Sequence, residues 1–137
     1  MKHLDEDNRN NEERFPLGII VISVIMVFTA LATDYYWFAS WSGIDFPSLR
    51  GMDPEFYVNF SLPDMVLSLF LYVGAFGLMK RKKYGFMAAL LAMGMWLYDL
   101  LLVFRVTHWD HINIVGPSIV FVVFTVFYLW WKRKIFL

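Results

Sequence analysis

Three carboxylates, Asp34, Asp64 and Asp99, sit in or at the edge of strongly apolar sequence. A carboxylate at the centre of a membrane-spanning helix costs about 3 kcal/mol, and less near the interface, so such residues persist where they are paired, solvated or engaged by a ligand. A carboxylate there can serve as the counter-ion of an organic cation. A second cluster, His108, Asp110 and His111, brings two imidazoles three residues apart beside a carboxylate. Those donor types ligate divalent metals, and imidazole also titrates near neutrality. Short surface loops carry the same residues for solubility alone, so the pattern assigns no metal, and no cofactor is expected.

Aromatic residues crowd the sequence around the carboxylates: Tyr35, Tyr36, Trp37 and Trp41 after Asp34, then Trp96 and Tyr98 before Asp99. Most suit an interfacial belt. Turned inward, Trp37 and Trp96 would wall a box for an amphipathic cation, whose charge is attracted by ring faces and by a counter-ion. Asn59, five residues before Asp64, would supply a neutral hydrogen bond. Arg105, six residues after Asp99, is rotated away from that residue's face and would pair on another helix.

Other chemistries are excluded or unsupported. With no cysteine in 137 residues, disulfides, thiolate metal ligands and iron–sulfur clusters are ruled out. There is no phosphate-binding loop, no Gly-x-Ser-x-Gly elbow, no His-Glu-x-x-His, and no histidine pair within an apolar run. Enzymatic catalysis is not expected. No basic stripe of the kind that binds nucleic acid is present.

The elements that must position these residues are membrane spans. The chain is 59% hydrophobic and 20% aromatic, with a mean hydropathy of +0.53, far too apolar for a soluble domain of this size. About 20 apolar residues cross a bilayer core. Four stretches qualify, at about 17–40, 63–79, 84–104 and 113–131, following a polar tail over residues 1–14. An apolar, Pro- and Gly-containing connection at 41–62 caps the far side. The expectation is an all-α integral membrane four-helix bundle formed by residues 15–137. The run from Leu17 to Ala30-Leu31-Ala32 also has the form of a cleaved signal peptide. Against that reading, acidic residues outnumber basic ones before it, and apolar character continues through Phe38.

Charge orients the bundle. Of the twelve Lys and Arg residues, only Arg50 and Arg105 fall outside the amino-terminal tail, the Lys80–Lys83 turn and the carboxyl-terminal tail. Positive charge concentrates on the cytoplasmic side, so both termini are expected in the cytoplasm of a cell-membrane, multi-pass protein. Asp64 and Asp99 are equidistant from the turn, each about 24 Å from its near end at 1.5 Å per residue. Asp34 lies at a similar height, about 27 Å from Pro16.

Helical spacing sets the faces. Gly85, Ala88, Ala89, Ala92 and Asp99 share one side of the third span, and small residues mark close helix approach. Asp64 shares a stripe with Ser68 and Ala75. Because it follows Pro63, it reads equally well as a helix cap.

The function expected on these grounds is non-enzymatic. An outward-facing acidic and aromatic pocket built on Asp34, Asp64 and Asp99 would bind a small amphipathic or cationic ligand or a lipid. Two alternatives follow from the same residues. One is an accessory or immunity-type subunit whose small-residue face and Gly74-x-x-Gly77 pack on a membrane-protein partner. The other is a homo-oligomer that moves ions or protons. Lipid bilayer is the constant partner in all three.

Overall fold

The computed structural model describes residues 15–44, 54–107 and 109–137. The polar tail over 1–14, residues 45–53 of the 41–62 connection and His108 lie outside the described residues. Within them the chain forms helix α1 (Leu17–Trp41), α2 (Pro54–Met79), α3 (Lys83–Thr107) and α4 (Ile112–Trp131). A short 3-10 turn, Arg133–Ile135, follows α4. All four helices are long and apolar enough to cross a membrane, the apolar part of α2 running from Val58 to Met79.

Each helix is hydrophobic all round, as expected of a helix that faces core on one side and lipid on the other. The inward sides contribute Ile19, Ile22 and Met26 from α1, Leu67, Leu71 and Leu78 from α2, Ala89 and Met93 from α3, and Val122 and Leu129 from α4. The outward sides leave Phe28, Leu69, Phe76, Leu91, Phe124 and Phe127 exposed. Those outward sides are the ones that would meet lipid where the helices cross a membrane.

Packing is sequential, α1 on α2, α2 on α3 and α3 on α4. The tightest seam is between α2 and α3. A Cβ built on Gly77 would fall on the backbone of Gly85, and one on Gly85 would fall on the backbone of Gly77. A Cβ on Gly74 would meet Ala89 N at 2.9 Å and Met26 Cε at 2.8 Å. The small-residue faces expected to receive a partner protein are therefore consumed within the chain. Any accessory role would have to use another surface.

The basic turn closes this seam with a helix C-terminal motif. Lys82 N–H donates to Gly77 O at 2.9 Å, Arg81 N–H donates to Leu78 O at 3.0 Å, and Arg81 takes φ 52°. Glycine usually fills that left-handed position. Here the Arg81 guanidinium lies 4.9 Å from the centroid of the Phe15 ring, just ahead of α1. Phe136, after the 3-10 turn, stacks on Phe86 at 5.5 Å. The start of α1, the α2–α3 turn and the chain's carboxyl end thus share one end of the bundle. It is the basic end.

One sequence expectation is corrected here. The second helix begins at Pro54 rather than at Pro63, and Pro63 lies inside it. A proline inside a helix lacks one N–H and kinks or weakens the ladder without necessarily ending it. Asp64 is consequently an interior residue of α2, and the reading of it as a helix cap does not hold.

Candidate functional site

Trp37 is the centre of the site. It is 2% exposed, and its indole N–H donates to Asp64 Oδ2 at 2.8 Å across the α1–α2 interface. The ring is braced edge-on by Tyr36, with centroids 5.1 Å apart. A bulky aromatic with a polar edge suits this position, because its body fills apolar space while its N–H satisfies a buried acceptor.

A second bond runs the opposite way between the same two helices. The Tyr72 hydroxyl of α2 donates to Asp34 Oδ2 of α1 at 2.9 Å. Asp34 and Trp37 are one turn apart, so α1 offers one acceptor and one donor on a single face, and α2 returns one of each. Helical side chains lean toward the amino terminus of their helix. On α2 that direction points away from the basic end, which lifts the Tyr72 hydroxyl toward the carboxylate layer.

The third carboxylate joins through the second. The Asp64 and Asp99 carboxyl groups meet within hydrogen-bonding range. Their equal distance from the Lys80–Lys83 turn is therefore realised as contact. Asp99 is 8% exposed, and its Oδ2 is buried with no hydrogen-bond partner. Asp34 Oδ1 is also buried and unpartnered. Among the described residues, the protein groups donating to the three aspartates are the neutral Trp37 and Tyr72, and none is a Lys, Arg or His. A buried charged acceptor left without a donor costs more than the 1–3 kcal/mol of a neutral group. The layer is thus poised to take a proton or a cation.

A groove gives access to it from the flank. Pro63 of α2 and Leu90, Leu91, Gly94, Met95, Tyr98 and Asp99 of α3 line a space of about 390 Å³. Its size falls in the range of small-molecule sites, about 300–1,000 Å³. Asp99 is its single charged wall. Gly94 leaves the floor open, since a Cβ built there meets nothing within 4 Å. A larger apolar groove of about 540 Å³ lies between α1 and α2 toward the basic end, with Ser23 and Tyr72 in its walls.

The other residues expected at the site stand apart from this network. Trp96 is half-buried and packs on Phe121 of α4, with ring centroids 5.6 Å apart. Asn59 and Arg105 are both exposed. Asp110 is exposed, and His111 occupies the N-cap position of α4. Among the described residues no cluster of three or more His, Asp or Glu side chains is arranged to hold a metal.

Tyr72 joins this network although its spacing, with a Cα two turns below Asp64, placed it in the inner half of the span, below the carboxylate layer. The lean of helical side chains toward the amino terminus was the available signal. No protein-family description, curated protein or solved structure matches this chain, so its chemistry is read from its own residues.

Proposed function

We propose that this is a multi-pass protein of the cell membrane that binds a small amphipathic cation in the lateral groove at Asp99. The cationic head sits against the carboxylate layer and the apolar part lies along Leu90, Leu91 and Met95. The observation that carries this reading is Asp99 itself, a buried carboxylate with an unpartnered oxygen in the wall of an otherwise apolar groove. A cation supplies what Trp37 and Tyr72 cannot, a positive charge. Tyr98 in the groove wall adds an aromatic ring, whose face attracts an ammonium group.

Both termini are assigned to the cytoplasm on the distribution of Lys and Arg, which collect at the basic end. The carboxylate layer then lies nearer the outer face. Toward the basic end, Ile19, Ile22, Met26, Leu71 and Leu78 fill the interior. That apolar plug favours a binding site over a through-pathway for ions.

The test is ligand-induced stabilisation of the full chain in lipid nanodiscs. Octyltrimethylammonium should raise the unfolding temperature of the wild type by mass action, and octanol should not. Asp99→Asn should abolish the shift, and so should Gly94→Leu, which fills the groove without touching a carboxylate. Equal shifts in the wild type and both variants would sink the proposal.

A further inference from the structure

The Asp64–Asp99 contact poses a question of charge balance. Two carboxyl groups at hydrogen-bonding range are both acceptors when ionised, and a bond between them needs one proton. Trp37 satisfies one oxygen of Asp64. Asp99, buried and with an oxygen lacking any donor, sits in the wall of the lateral groove.

Among the described residues, nothing else packed around the pair supplies the missing charge. From α1, Asp34 is engaged by Tyr72 of α2, and Tyr36 packs edge-on against Trp37. On α3, Tyr98 is exposed in the groove wall and Arg105 is exposed nearer the helix end. On α4, Tyr128 lies over Gly18 at the basic end, and His111 precedes the first turn. Neither acts on the pair.

We infer that the groove takes its cation by exchange: one proton held between Asp64 and Asp99 is released as one organic cation binds. This rests on the cation-binding reading proposed above and adds a stoichiometry to it. The O–H bond of the shared proton breaks, the proton passes to solvent, and the ammonium charge replaces it beside two ionised carboxylates. The site keeps the same net charge before and after. Ionising both carboxylates strengthens their attraction for the cation, and in a low-dielectric setting that added attraction is what couples proton release to binding.

The exchange has a definite pH signature. While the pair holds its proton, proton and cation compete, and the affinity for the cation should rise about tenfold per pH unit. Above that range the affinity should level off and proton release should vanish.

The experiment is calorimetric titration of the full chain in nanodiscs with octyltrimethylammonium, which has no titratable group of its own. Running it in two buffers of different ionisation heat counts the protons released. In the pH range where the cation affinity still rises with pH, the wild type should release about one proton per cation, as linkage requires. Asp64→Asn, whose amide can donate to Asp99 directly, should bind with no release. Asp34→Asn should retain the release. The wild-type count decides the matter even if a variant fails to fold. Binding without proton release overturns the exchange and leaves the cation site standing, whereas absence of binding removes both.

Discussion

Trp37 and Asp64, 27 positions apart, are joined by a 2.8 Å hydrogen bond that ties α1 to α2 in the same layer where Asp64 meets Asp99. Hydrogen bonds to charged groups contribute about 1.5–3 kcal/mol. Trp37→Phe keeps an aromatic body and removes the donor, so it is expected to lower stability by about 1–3 kcal/mol in denaturant unfolding. In a double-mutant cycle with Asp64→Asn the two losses should be clearly non-additive. Additive losses would mean that the bond contributes nothing.

Tyr72→Phe tests the return bond. It strips Asp34 of its donor and leaves both carboxylate oxygens unpaired, with an expected loss of about 1–3 kcal/mol. The informative step is the second one. Adding Asp34→Leu to Tyr72→Phe removes the orphaned acceptor and should recover most of the loss, because replacing both partners by apolar groups is nearly neutral. Failure to recover would mean that Tyr72 acts mainly through packing.

The glycines of the α2–α3 seam and of the groove should respond in opposite directions. Gly85→Val places two methyl groups against the backbone of Gly77 and is expected to destabilise by at least about 2 kcal/mol, or to prevent folding. Gly94→Ala, which meets open space, should stabilise by up to about 1 kcal/mol through helix propensity. Thermal unfolding of the two variants side by side gives the sign of each. A stabilised Gly85→Val would contradict the close approach of the helices.

How far this arrangement was legible in the sequence differs from residue to residue. The four spans followed from length and hydropathy, with boundaries within a few residues for α1, α3 and α4. The contact of Asp64 with Asp99 followed from counting outward from the turn, because a tight hairpin of straight helices leaves their register no freedom. The start of α2 did not follow, since Pro63 is a boundary signal in sequence that the helix overrides. The Gly74 and Gly77 face was recognised as a close-packing surface, but periodicity alone does not say whether a neighbour is internal or foreign. Trp37 was placed near Asp34 on α1, yet its bond goes to Asp64. Spacing along one helix cannot specify a partner on another.

Arg81 offers a test of the turn. A non-glycine residue in the left-handed region costs about 1–2 kcal/mol, while an exposed cation over an aromatic ring returns about 0.5–1 kcal/mol. Arg81→Gly removes both terms, so its stability should stay within about 1 kcal/mol of the wild type. Arg81→Ala keeps the backbone cost and loses the Phe15 contact. It should therefore fall below Arg81→Gly by about 1 kcal/mol, the glycine advantage at such a position. Equal stabilities would show that the turn carries no backbone cost.

The α2–α3 hairpin also has a meaning for biogenesis. Its two arms are joined by a turn too short to let one cross the bilayer long before the other, and their backbones touch from Gly77 and Gly85 onward. In the orientation proposed above, with the basic end cytoplasmic, Asp64 and Asp99 would travel through the hydrocarbon side by side during insertion. Sharing a proton, they make that passage with one charge between them instead of two, which roughly halves a barrier of about 3 kcal/mol per carboxylate. The same pairing that defines the mature site eases its delivery into the membrane.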